Sequence, residues 1–180
     1  MGPLTQQIML KALMRLSELL DSHVTLIMGG GGAMILAHRF PLGTTDIDAV
    51  PKGIETAALD VYVKKIADEQ NLPPDWLNPY FSTFAHTLPH DYGNRLVTVF
   101  ESERLKVQAL GKEEMLIMKC FAHRQKDVPH AKALVKGNAD TDAVERQILA
   151  LEKKGIPGTS QALDFLQDIL DQIDDQVDCD

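Results

Sequence analysis

The chain has 180 residues, 44% of them hydrophobic, and a formal charge of −8. That length and apolar fraction suit one globular domain with a buried core and exclude a disordered or fibrous chain. Its apolar stretches are only a few residues long, against the roughly 20 a membrane span needs, so no membrane partner is expected.

The two cysteines lie apart, Cys120 in an apolar run and Cys179 at the end of an acidic tail, which suits a reducing compartment. The N-terminal pattern around Lys11 and Arg15 is amphipathic and does not read as a secretory signal, so a cytoplasmic location is expected. The six histidines are scattered and form no zinc spacing with either cysteine. Residues 160–180 carry seven aspartates and no Lys or Arg, leaving the other 159 residues with 18 Lys and Arg against 19 Asp and Glu. The acidity therefore belongs to the tail. A local phosphate pocket stays open to the body of the chain, whereas a broad basic nucleic-acid face does not.

In chain order, residues 4–20 place Leu4, Ile8, Met9, Leu13, Leu16 and Leu20 at helical spacing. Residues 24–28 are a short β-branched strand running into Gly29-Gly30-Gly31-Gly32, and a short helix is expected over 33–38. A second strand covers 45–50, and a long amphipathic helix covers 55–69. The stretch 71–92, rich in Pro, Asn and aromatics, reads as an irregular connection. Its Trp76, Tyr80 and Phe81 suit a satellite core better than a base pocket. Residues 95–100 and 104–109 are two strands expected to pair antiparallel across Glu101-Ser102-Glu103. Helices are expected over 112–126, from Pro129, over 140–154 and over 160–177. The last of these has a Leu/Ile stripe opposed to an aspartate face. The fold class is α/β (α+β), a small mixed sheet flanked by helices with a helical C-terminal portion. It is expected as a single domain over 1–180, with the sheet core in 1–110 and the helical portion in 111–180.

The chemistry concentrates between Met28 and Val50. A strand ending in glycines and feeding a helix lets a phosphate approach the backbone closely, although this is neither a Walker loop nor the spaced dinucleotide pattern. Period two puts Asp46 and Asp48 on one strand face, where two adjacent carboxylates repel unless a cation sits between them. Mg²⁺ held together with polyphosphate oxygens answers that need. An edge strand with solvent-facing aspartates is the alternative.

The string Gly29 to Ala33, then Arg39, then Thr44-Thr45-Asp46-Ile47-Asp48-Ala49-Val50, resembles the signature of the DNA polymerase beta-like nucleotidyltransferases. It is most similar to small bacterial proteins grouped with the abortive-infection type II toxins. A later helix with Lys119, Ala122, Arg124, Lys126 and Asp127 loosely matches a second family pattern. The resemblance implies a nucleotidyltransferase-like fold. It implies that Gly29, Gly30 and Gly31 cradle the nucleotide's phosphates and that Asp46 and Asp48 ligate Mg²⁺ or Mn²⁺. It also brings Lys119 to the triphosphate and makes Arg39 and Thr45 pocket-wall residues. The body's residue types agree, because nucleotidyl transfer is mostly positioning and charge neutralisation. For Arg124 and Asp127, a structural ion pair is an equal reading.

One departure stands out. Complete members of the superfamily carry a third carboxylate on a neighbouring strand, and 95–100 contains none. Glu101 is expected to substitute, ahead of Glu103 and Asp91. The expected activity is transfer of a nucleoside monophosphate from an NTP, such as ATP, to a hydroxyl of RNA, protein or a small molecule. RNA is the acceptor that the charge supports least. The alternative is a catalytically silent binding protein, such as one half of a toxin–antitoxin pair, whose acidic last helix meets a basic protein partner.

Overall fold

The computed structural model describes every residue except Met1, Leu42, Pro79 and 178–180, and all side chains among these except those of 80–83, 176 and 177. Pro79, Asp178 and Cys179, with the side chains of Tyr80, Phe81 and Val177, thus lie outside the described residues. The helices are α1 (Gln6–Leu19), α2 (Gly30–Leu36), α3 (Thr56–Gln70), α4 (Lys112–Ala122), α5 (Val128–Lys136), α6 (Thr141–Lys153) and α7 (Thr159–Val177). The strands are β1 (Val24–Met28), β2 (Ile47–Lys52), β3 (Leu77–Asn78), β4 (Val97–Glu101) and β5 (Leu105–Ala109). They form a five-stranded sheet in the order β3-β2-β1-β5-β4. The sheet is mixed: β1 is antiparallel to β2 and parallel to β5, β3 is parallel to β2, and β4 is antiparallel to β5. The expected α+β class with a mixed sheet and a helical C-terminal part is what is found.

The described residues group into two compact units. The first comprises everything up to Thr83 together with Arg95–Leu110, and the second comprises Phe84–Asn94 together with everything from Gly111 onward.

In the first unit, alternation along the strands divides the sheet into two faces. Val24, Leu26, Met28, Ile47, Ala49, Leu105, Val107 and Ala109 are buried on one face. They share a core with Met9, Leu13 and Leu16 of α1 and Leu59, Val63 and Ile66 of α3. The other face carries Thr25, Asp48, Val50, Lys106 and Gln108, which are half-buried, and Ile27, which is buried. α1 starts at Thr5, whose hydroxyl accepts from the Ile8 amide at 3.4 Å. β2 begins two residues later than its composition suggests and runs on through Pro51, which pairs with Leu26. Proline is tolerated there because β3 pairs only with Ile47 and Asp48, which leaves that stretch of β2 as a sheet edge. β3 itself is an addition to the sequence reading. Two residues in a proline-rich connection carry no periodicity, and they are strand only because β2 accepts them.

In the second unit, the helix expected over 112–126 stops at Ala122, because His123 takes the left-handed conformation (φ 35). A 3-10 turn (Gln125–Asp127) then leads into α5, which has Pro129 in its first turn. α6 is capped by Asp140, whose carboxylate accepts from the Ala143 amide at 2.8 Å. α7 packs on α4, α5 and α6, burying Ala162, Leu166 and Ile169. Its Asp164, Asp168, Asp171, Asp174 and Asp175 remain exposed, as the stripe pattern implies.

Packing against three helices makes α7 part of the unit's core. Ile169→Ala is expected to lower the unfolding free energy by about 2–5 kcal/mol. Asp168→Ala on the opposite face should change it by less than about 0.5 kcal/mol. Urea unfolding of the two variants checks this, and equal effects would show that the stripe is not packed.

Candidate functional site

The site is built where β1 ends. The Gly29 amide donates to the Asp48 carbonyl at 2.9 Å, extending the β1–β2 ladder by one step and placing the glycine run alongside β2. Gly30 then takes φ +61, a left-handed backbone that side chains other than hydrogen disfavour. A Cβ on Gly30 would stand 2.2 Å from Asp48 Oδ2, so the carboxylate lies directly against the Gly30 backbone. One residue on, a Cβ on Gly31 would stand 2.4 Å from Thr44 Oγ1, and on Gly32 2.9 Å from Met28 Cε. Residues 44–48 thus lie along a glycine run that has no room for side chains.

Asp46 sits just before β2. Its Oδ1 accepts from the Thr45 hydroxyl at 3.2 Å and its Oδ2 from the Asn78 amide Nδ2 at 2.9 Å. Asn78 is level with Asp48 in the parallel β2–β3 pairing, so its side chain leaves the sheet on the Asp48 face. Asp46, reached by that side chain, shares the face. Asn78 and Asp46 are thus joined by a hydrogen bond, and Asp48, level with Asn78, lies against Gly30. Two carboxylates and an amide oxygen are hard donors, suited to Mg²⁺ or Mn²⁺ and unsuited to a thiolate-seeking metal. Among the described residues no group of three or more His, Cys, Asp or Glu could hold a metal.

Residues 8–161 match the family described as "nucleotidyltransferase of unknown function (DUF6036)". The chain belongs to this nucleotidyltransferase family. No curated protein and no solved structure matches it.

Against the expectation for a nucleotidyltransferase, the structure brings together Gly30, Gly31, Thr45, Asp46 and Asp48, and adds Asn78, which the sequence reading missed. The one signal for Asn78 was its place beside Trp76 in a connection otherwise full of prolines, and a buried asparagine needs partners. Gly29 faces a different demand from the one expected, since its amide belongs to the sheet. Arg39 lies past the end of α2, which spans about 10 Å. Its residue is exposed and has φ 56, and with Thr5, Gln6 and Phe40 it lines a separate cleft of about 410 Å³.

Glu101 is a correction. The strand that contains it, β4, is the far edge of the sheet, three strand spacings from β2, or about 14 Å. Along the strands it is also at the wrong end. Glu101 is level with Lys106 and Thr25, and Arg104 of the β4–β5 turn bonds the start of β1, whereas the glycines follow its end. Its exposed carboxylate pairs with Lys106 at 3.2 Å. Glu103 lies in the same turn and is no nearer. Strand order defeats the sequence argument here, because chain proximity does not say which strands are neighbours in the sheet.

Lys119, Arg124 and Asp127 form one cluster within the second unit. Lys119 Nζ donates to Asp127 Oδ1 at 2.6 Å and Arg124 Nε to Asp127 Oδ2 at 2.6 Å. Lys119 and Asp127 are buried, with side chains 7% and 1% exposed, while Arg124 is 52% exposed. Burial alone would raise the Asp127 carboxyl. The hydrogen bonds from Arg124 and Lys119 outweigh it and hold the group below the usual carboxylate range. His130 lies 4.0 Å from the same carboxylate. Its burial, followed by the Lys119 charge, pushes it down to about 4, so it is neutral near pH 7 and Asp127 is balanced by the lysine and the arginine. Cys120 is buried too, and burial pushes its thiol up to about 12, which excludes a Cys120–His123 nucleophile.

Two outcomes are expected. Gly30→Ala should destabilise the chain by more than about 1 kcal/mol, from the left-handed backbone and the displaced Asp48 together. If thermal melting is unchanged, the contact is not made. Asp127→Ala should cost about 3–5 kcal/mol, since it strands a buried ammonium, whereas Arg124→Ala should cost about 1 kcal/mol or less. Chemical denaturation separates these, and a mild Asp127 variant would mean that Lys119 escapes to water.

Proposed function

We propose that this family member is a Mg²⁺-dependent nucleotidyltransferase whose reaction is organised by Asp46 and Asp48. The observation that carries the reading is the seating of the Asp48 carboxylate against the Gly30 backbone, with Asp46 on the same sheet face. Gly30 and Gly31 would bring phosphates to the backbone of the β1–α2 turn, beside the Asp48 carboxylate that packs on it. Asp46 and Asp48 would hold the metal, with Thr45 fixing one oxygen of Asp46. When bound, Mg²⁺ supplies the charge neutralisation that lets a nucleophile approach a polyphosphate. In the transfer, an acceptor hydroxyl oxygen bonds the α-phosphorus of an NTP such as ATP, the bond to the bridging oxygen breaks, and pyrophosphate leaves. The near-neutral body favours an acceptor that needs no basic footprint, a protein hydroxyl or a small molecule, over RNA.

A second reading is favoured by one observation. Among the described residues no third carboxylate joins the pair. The protein would then bind nucleotide and metal without transferring, and the exposed aspartates of α7 would meet a basic protein partner, as in a toxin–antitoxin pair. Intact-mass analysis of the chain and of cellular protein and RNA fractions incubated with Mg²⁺ and each NTP separates the two.

Asp48→Asn tests the metal assignment for both readings. Removing one of two charges should weaken Mn²⁺ binding by about tenfold or more, while the isosteric amide keeps the fold. The check is calorimetric titration with Mn²⁺, with melting in EDTA to confirm folding. An unchanged affinity overturns the assignment.

A further inference from the structure

The strand that neighbours β2 on its outer side is β3, and it brings a single polar side chain to the aspartate pair. Asn78 is level with Asp48, shares its sheet face, and donates from Nδ2 to Asp46 Oδ2 at 2.9 Å across 32 residues of sequence. It is only 7% exposed. The segment that carries it is anchored. Trp76, two residues before, is fully buried. Its indole N–H donates to the Val63 carbonyl at 3.0 Å, and its own carbonyl accepts from the Ile47 amide at 2.7 Å. The amide therefore reaches Asp46 from a fixed place in the sheet.

An amide in this place does two things that a carboxylate would not. It donates a hydrogen bond, which takes up one of the lone-pair directions on Oδ2 and fixes the carboxylate's orientation. It also adds no charge of its own beside the two carboxylates. A third carboxylate here would raise the site's charge and supply oxygens for a second ion. Outer partners of ligating carboxylates orient them in the same way.

Resting on the nucleotidyltransferase reading above, we infer that Asn78 is a positioning residue: it orients Asp46 and restricts the site to a single divalent cation. A second cation, where the reaction needs one, arrives with the polyphosphate and has no protein ligand set of its own.

The test uses the full chain with Mn²⁺ alone as the probe, counting bound ions by the loss of the free-ion paramagnetic resonance signal. The wild type should bind one Mn²⁺ per chain, and Asp48→Asn should lose it. Those two titrations report on the metal reading itself. If neither chain binds Mn²⁺, both that reading and this inference are overturned. Where the wild type binds and Asp48→Asn does not, the Asn78 variants decide. Asn78→Ala should bind Mn²⁺ about tenfold more weakly. Asn78→Asp keeps the shape of the side chain, so it reports even if the alanine variant fails to fold. It should bind a second Mn²⁺ per chain or bind the first about tenfold more tightly, and its melting temperature should fall in EDTA and recover with Mn²⁺. An Asn78→Asp chain with wild-type stoichiometry and affinity overturns the inference, because a residue that merely holds β3 in place would behave in that way. Two Mn²⁺ ions on the wild type would overturn it as well.

Discussion

The contact between the Asp48 carboxylate and the Gly30 backbone is the constraint around which the first unit is arranged. With Oδ2 2.2 Å from the point where a Cβ would stand, any other residue at position 30 would displace the Asp48 carboxylate, besides straining the left-handed backbone. The same crowding recurs one and two residues on, where Thr44 lies over Gly31 and Met28 over Gly32. The glycine run is therefore required by close packing with the segment that follows it in sequence as well as by the left-handed turn at Gly30. The Gly29 amide is spent on the Asp48 carbonyl, and this bond locks the register in which the other contacts occur. A shift of one residue between β1 and β2 would turn Asp48 into the buried face and bring Ile47 or Ala49 out.

Much of this was legible in the sequence, and the failures have physical causes. Period two puts Asp46 and Asp48 on one face, and although Asp46 lies just outside β2, Asn78, which is level with Asp48, reaches it from β3. The amphipathic stripes of α1, α3, α6 and α7 were readable because each is buried along one side only. α2 was expected to begin at Ala33 and begins at Gly30. Glycine is a poor helix former, but these glycines are chosen for closeness to Thr44 and Asp48, and tertiary packing overrides propensity. Glu101 was placed in the site by chain proximity, and the strand order moved it to the opposite edge. Asn78 was missed for the converse reason. A two-residue strand has no pattern of its own, and its register exists only in the presence of β2.

The second unit handles charge differently. Lys119 and Asp127 are buried, and the desolvation of two such groups is offset only by a close pair with further hydrogen bonds. Arg124 supplies one of these from the surface, so a single carboxylate answers two cations and the cluster keeps a positive excess. The neutral His130 imidazole nearby does not add to that excess, because burial and the lysine charge both oppose its protonation. The sequence reading left an ion pair and a catalytic role level for Arg124 and Asp127, and the 2.6 Å contacts supply the ion pair. That pair already gives Lys119 a partner among its own unit's residues, so its burial has a structural explanation that needs no substrate.

The two aspartates of the first unit are a different case, two like charges on one strand face. Such a pair raises the free energy of the fold unless each carboxylate is stabilised on its own. Neutral donors do this for Asp46, with a hydroxyl on one oxygen and an amide on the other. A lysine or arginine in place of Thr45 or Asn78 would quiet the repulsion more effectively, but it would also cancel the field that attracts a divalent ion. Neutral partners settle the geometry of the Asp46 carboxylate without adding a charge. The first unit therefore holds Asp46 with neutral donors, whereas the second meets its buried carboxylate with two cations.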